Sequence, residues 1–165
     1  MTAPGPEWGA WGPAMRVRID HSPVWTFARA VKDLNPVYAS VEAAKDAGFD
    51  AVPAPPTFTF AMAHTGAFPD LQRPEFSGRM MPESDLPADG SSSRGLYLHG
   101  EQHFEYHRQV KVGDELEGRM RVSKPMAKES RRGTMEMTLI QTRWTDLEGE
   151  PVVTEQIVSL FLPGG

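Results

Sequence analysis

An α+β domain is the architecture this sequence predicts, and three observations predict it. Apolar residues recur at helical spacing from Val24 to Val31 and again around Ala44. From Leu96 onward the apolar period drops to two, in four runs separated by turn-forming residues. The helical patterns come first and the strand patterns follow, the order of an α+β fold with an antiparallel sheet. At 165 residues, with no internal repeat, one domain can bury a core without staples.

Residues 1–14 contain Pro4, Gly5, Pro6, Gly9, Gly12 and Pro13 and read as a flexible arm before a single domain spanning 15–165. Trp8 and Trp11 make that arm unusual: either the indoles dock on the body or a partner, or the arm is a loose tail. Met15–Ile19 reads as a short strand. Ser22 as N-cap and Pro23 at the first helical position start a helix. Val24, Phe27, Ala28 and Val31 share its apolar face, and it ends near Lys32. Asp33-Leu34-Asn35-Pro36 is a turn with a mechanism. Both acidic and amide side chains can accept from nearby backbone N–H groups, and Pro36 cannot continue the helix. Ser40 is placed to cap a second short helix with Val41, Ala44 and Ala47 inward and Gly48 as its stop.

Pro53, Pro55 and Pro56 keep the next stretch in a loop. Thr57–Phe68 is apolar on most faces, the pattern of a buried helix, with a strand as the alternative because of Thr57, Phe58, Thr59 and Phe60. Residues 69–95 read as a long polar loop with Pro69, Pro74, Pro82, Pro87 and the run Ser91–Ser93, the kind of stretch that is a lid, a binding loop or disordered. Alternation then places Leu98, Gly100, Gln102, Phe104 and Tyr106 on one face and His99, Glu101, His103, Glu105 and His107 on the other. After a turn at Val112-Gly113-Asp114, Leu116, Gly118, Met120 and Val122 alternate with Glu115, Glu117, Arg119 and Arg121. Lys124-Pro125 ends that strand. Thr134–Thr145 and Val152–Leu162 are two more, joined by a turn at Asp146–Gly149.

The totals exclude several functions. Seventeen Lys+Arg against twenty-two Asp+Glu give a net charge of −5, with no basic run to track nucleic acid. The absence of cysteine removes disulfides, a thiol nucleophile and Cys-type zinc sites. Residues 1–11 lack the segments of a secretory leader, and no apolar run approaches the ~18 residues of a spanning helix. A soluble, cytoplasmic protein is the expectation.

Candidate sites compete with plainer readings. The His/Glu face has ligands roughly 6.6–6.8 Å apart along a strand, close enough for two to share a zinc. Alternating His and Glu more often form a solvated or cross-paired face, and no metal is expected. Ser91–Ser93 lacks an activating geometry and reads as linker. The start of the 57–68 helix offers the N–H groups of Thr57 and Phe58 to a carbonyl oxygen gaining negative charge. Asp33 is either a general base or a turn former.

These residues together resemble a family. Phe27-Ala28-x-Ala30-Val31-x-Asp33-x-Asn35-Pro36-Val37-Tyr38, Ala43-Ala44-x-x-Ala47-Gly48-Phe49 and Ala54-Pro55-Pro56-Thr57-Phe58 are similar to the MaoC-like dehydratases, in their N-terminal, FAS1-like type. Leu98–Gln102, Glu105–Arg108, Val112-Gly113-Asp114 and Asp146-x-x-Gly149-Glu150 agree, so the resemblance covers about residues 16–162. It implies a hot-dog fold, an antiparallel sheet wrapped around one long central helix, here Thr57–Phe68. It implies (R)-specific enoyl-thioester hydration or the reverse dehydration, without a cofactor. In active members an Asp-x-Asn-Pro-hydrophobic-His motif holds the water and trades protons, while the helix start polarises the thioester carbonyl.

This chain keeps Asp33, Asn35 and Pro36 but carries Tyr38 where the family's His stands, and Pro55-Pro56-Thr57-Phe58 replaces a small, His-Gly-like turn. A phenol with an ordinary pKa of about 10 is a poor proton shuttle at neutral pH. The resemblance then implies a non-catalytic, substrate-accommodating subunit, paired with a catalytic MaoC-like hot-dog partner and acting on long-chain or steroid acyl thioesters of CoA or a carrier protein. Asp33, Asn35 and Tyr38 would be a degenerate site. Pro56, Thr57, Phe58, Phe60, Met62 and His64 would border the acyl tunnel. Two other readings stay open: a self-sufficient homodimer using Asp33 with Tyr38 or His64, and an acyl-thioester binding or scaffold protein without chemistry.

Overall fold

Strands of alternating polarity gather into one antiparallel sheet. In the computed structural model, which describes residues 5–62, 95–131 and 133–163, its path runs β1 (Met15–Arg18), β3 (Glu115–Val122), β5 (Gly133–Thr145), β6 (Pro151–Pro163) and β2 (Gly95–Tyr106). β4 (Met126–Ser130) pairs with β5 off that path. The sequence pattern missed β4. Its exposed Lys128 and Glu129 leave no clean alternation, and only pairing with β5 makes it a strand.

The helical elements are α1 (His21–Ala30), a single 3₁₀ turn (Pro36–Tyr38), α2 (Val41–Asp46) and α3 (Phe58–Ala61). α1 starts earlier than Ser22: Asp20 is the N-cap, with no side-chain cap bond. Pro23 sits inside the first turn, where a missing N–H leaves no helical bond unmade. Val24 and Ala28 are buried, whereas Val31 lies past the last turn and is exposed. In α2, Ser40 accepts from the Ala43 N–H and Gly48 follows with φ 89°, as expected. Only Ala44 of its three apolar candidates is buried. The expected helix over Thr57–Phe68 is described through its first turn; Ala63 onward, with His64 and residues 69–94 of the long loop, lies outside the described residues.

α1 and α3 lie against one face of the sheet, and the core forms there. Phe58 and Met62 of α3, Val24 of α1, and Leu116, Trp144 and Val153 of the strands belong to one cluster. No helix among the described residues is long and apolar enough to cross a membrane.

The alternation read along β2 needs one correction. The pairing with β6 slips between His99 and Glu101, so Gly100 is an extra residue, a β-bulge. A one-residue slip exchanges the two faces of everything beyond it. His99, opposite Ser159, therefore joins Gln102, Phe104 and Tyr106 on the inner face, while Glu101, His103, Glu105 and His107 stay outside. The inner placement is visible in the His99 ring, 5.8 Å from Phe60 of α3.

The arm continues the sheet where β1 stops. Gly9 N donates to Val122 O at 2.8 Å, Gly12 N to Met120 O at 2.7 Å, and Lys124 N to Glu7 O at 2.8 Å. Trp8 and Trp11 both flank the Arg121 guanidinium, its carbon 4.4 Å from each ring centroid. The β3 edge is thereby covered, which protects it from pairing with other chains. Replacing both indoles (Trp8→Ala with Trp11→Ala) is expected to cost about 1–2 kcal/mol. It should also expose residues 5–14 to limited proteolysis while the body stays folded; an unchanged cleavage rate would contradict this contact.

Candidate functional site

The entry to α3 is held by a loop laced to the strand region. Ala54 N donates to Val110 O and Val112 N to Val52 O, both at 2.8 Å. This fixes Pro55 and Pro56 and forces Thr57 into a left-handed conformation at φ 67°. That region is unfavourable for a β-branched residue and persists only where neighbours impose it. Here Thr57 N donates to Tyr106 Oη at 2.9 Å. Phe58 N donates to Pro55 O at 3.1 Å. Both N–H groups that the sequence offered to a substrate carbonyl are thus already occupied.

Beside this entry lies a cleft of about 130 Å³, lined among others by Pro55, Pro56, Phe58, Thr59, Tyr106 and Arg108. Ligand pockets commonly enclose about 300–1,000 Å³, so this cleft by itself is smaller than a bulky acyl group needs. Of the expected tunnel residues, Pro56 and Phe58 line this cleft, and Thr57 is exposed at α3's start. Phe60 is half-buried against His99, and Met62 is wholly in the core. His64 lies outside the described residues.

The Asp-x-Asn-Pro turn forms as its chemistry dictates. Asn35 N donates to Asp33 Oδ1 at 3.3 Å, and Val37 N to Asn35 Oδ1 at 3.1 Å. The Tyr38 phenol is raised above its ordinary value of 10.0, first by burial, then by the Asp33 charge and a hydrogen bond to that carboxylate. It stays protonated at neutral pH. None of Asp33, Asn35 and Tyr38 lines the cleft. An imidazole does approach the turn: His21 Nε2 donates to Tyr38 O at 2.8 Å. It binds a backbone carbonyl there, and its distance along the chain hid it from sequence reading.

The His/Glu stripe does not converge. His103 Nε2 donates to Glu101 Oε2 at 3.3 Å, His107 Nε2 bonds Thr154 Oγ1 at 3.1 Å, and the bulge sends His99 to the opposite face. Among the described residues no three of His, Asp and Glu are grouped to hold a metal.

Sequence reasoning also missed Glu155. It is 4% exposed, and Trp144 Nε1 donates to its Oε1 at 3.0 Å. Burial pushes its carboxyl from an ordinary 4.5 up to about 7, against the opposing pull of Thr59 and Trp144. Thr59 Oγ1 faces it without full hydrogen-bond geometry. The legible signal was an acidic residue in phase with Val153 and Ile157 on an otherwise apolar strand face.

An antiparallel sheet seated on the start of one helix is the arrangement of a hot-dog fold, and solved structures with that arrangement superpose on it. A solved MaoC-like dehydratase is 28% identical with a TM-score of 0.65, over 94% of this chain and 42% of that one. The HadBC (3R-hydroxyacyl-ACP dehydratase) complex of Mycobacterium tuberculosis superposes at TM-score 0.65 and 24% identity, over 95% and 98% of the two chains. The ChsH1–ChsH2 complex of the same organism gives 0.66 and 19%, over 94% and 86%. At those identities the last two speak for the fold alone.

The family profile described as "FAS1-like, dehydratase domain region" matches residues 8–155, and the chain belongs to that family. Its relatives include UPF0336 proteins. That of Streptomyces avermitilis is 36% identical over 107 residues, 65% of this chain and 62% of the relative, less than two thirds of its length. That of Saccharopolyspora erythraea is 31% identical over 145 residues, 86% of this chain and 80% of the relative.

Proposed function

We propose that this chain is the non-catalytic, substrate-accommodating subunit of a heteromeric enoyl-thioester hydratase or (R)-3-hydroxyacyl-thioester dehydratase. Its partner, a second hot-dog chain, carries the working Asp and His. The observation that carries the reading is the Tyr38 phenol beside Asp33: the side chain at the proton-shuttle position holds its proton more tightly than a free phenol. Tyr106, which occupies the Thr57 N–H, supports it from the oxyanion side.

β2 supports the need for a partner. It ends the sheet path, and Leu96, Tyr97, Leu98 and Tyr106 on it are exposed. Among the described residues no further strand pairs with this edge, and an edge strand bearing large apolar side chains suits pairing with a second chain. The ligand is an acyl thioester of CoA or a carrier protein with a long-chain or steroid acyl group, and no cofactor takes part.

The test is hydration of crotonyl-CoA and longer enoyl-CoA by the chain alone and with candidate hot-dog partners. The chain alone is expected to show no turnover. In the complex, Asp33→Asn should leave kcat within about twofold, since the group makes no transition-state contact. The equivalent change in the partner should abolish activity. Strong activity from the isolated chain, lost on Asp33→Asn, would sink the assignment. Titration with a saturated acyl-CoA separates binding from turnover.

A further inference from the structure

Three polar side chains meet on the inner face of the sheet beneath α3, and the proposed reaction uses none of them. Glu155 on β6 and Thr59 on α3 are each 4% exposed. On β2, Gln102 pairs with Ile157, and Phe104 with Glu155, so Gln102 and Glu155 are diagonal neighbours on that face. Diagonal pairs stand about 7–8 Å apart, a gap that a glutamine side chain spans. One carboxyl oxygen of Glu155 is engaged by Trp144 Nε1. Thr59 Oγ1, which faces Glu155 without full hydrogen-bond geometry, and Gln102 Nε2 are both buried and make no complete hydrogen bond.

Buried polar atoms in folded proteins are nearly always bonded, and leaving one unpaired is strongly unfavourable. Two such atoms beside a buried carboxyl leave hydrogen-bond capacity for one guest group. Gln102 Nε2 can only donate, Thr59 Oγ1 does both, and an ionised Glu155 only accepts. A single oxygen that accepts from Gln102 and donates to Thr59 or Glu155 satisfies the set; a hydroxyl is such a group. The surroundings are hydrocarbon: Phe104 lies opposite Glu155, and Ile157 opposite Gln102. Thr59 also lines the cleft beside α3, so cleft and polar spot share a wall.

We propose that Thr59, Gln102 and Glu155 form a recognition point for a hydroxyl group carried on the hydrocarbon portion of the acyl thioester. This rests on the function proposed above and names the kind of acyl group it takes. The same chemistry suits a resident water, and the experiment separates the two sources.

Two saturated acyl-CoAs of equal chain length, one with a distal hydroxyl, are titrated calorimetrically into the chain and into its complex with the hot-dog partner. The hydroxylated ligand is expected to bind about tenfold more tightly, the worth of one or two net hydrogen bonds. Gln102→Leu and Thr59→Val should each bring that ratio close to one, with circular dichroism confirming that the variants fold. Equal affinities in the wild-type protein would mean that only water fills the spot and would overturn the inference, leaving the subunit function standing. A preference that persists in both variants would overturn the assignment to these residues. Failure of both ligands to bind either the chain or the complex removes the functional reading and this inference together.

Discussion

Gly118→Ala is expected to destabilise the fold by about 3 kcal/mol or more, at the upper end of overpacking penalties. A Cβ at Gly118 would lie 2.3, 2.6 and 2.7 Å from three ring carbons of Trp144. Neither side can yield. Gly118 is paired with Met15 on one side and Trp144 on the other, within the sheet. The indole is 2% exposed and its Nε1 is tied to Glu155. The glycine exists to admit the ring. Urea denaturation measures the loss, and the double variant Gly118→Ala with Trp144→Phe should recover part of it, because the two changes share one contact. A Gly118→Ala protein within about 0.5 kcal/mol of wild type, the range of neutral surface changes, would show that the ring moves freely.

The second large effect is on pH dependence. Burial raises the Glu155 carboxyl from an ordinary 4.5 to about 7. The folded state therefore binds this proton more tightly than the unfolded state does. Stability from this group is fully present below pH 4.5, falls as pH rises towards 7 and levels off above it. The full loss is about 3 kcal/mol, since each pKa unit is worth about 1.4 kcal/mol. Glu155→Gln keeps an acceptor for the Trp144 N–H and removes the ionisation. Its stability is expected to match the wild type in acid and to exceed it by about 2–3 kcal/mol above neutrality. Chemical denaturation across that pH range checks this; parallel curves for the two proteins would contradict it.

These two sites mark where reading along the chain stops. Gly118 was legible as one member of an alternating strand, but the ring above it comes from residue 144, 26 positions on. Glu155 was legible only as a charge among valines. Its partners Thr59 and Trp144 arrive from a helix and another strand. The Asp-x-Asn-Pro turn itself, in contrast, was readable from its own residues, because its two side-chain bonds each span only two residues.

The sequence by itself determined what depends on neighbours along the chain. It set the α+β order, the Ser40 cap, the Gly48 stop, the Asp-x-Asn-Pro turn and the phenol at its end. Tertiary structure alone decided which face each β2 residue takes, since the Gly100 bulge arises from pairing with β6. It also decided that Tyr106 occupies the Thr57 N–H and that Glu155 is buried. Backbone propensity and capping are local energies written in consecutive residues, whereas register and burial depend on groups that only folding brings together.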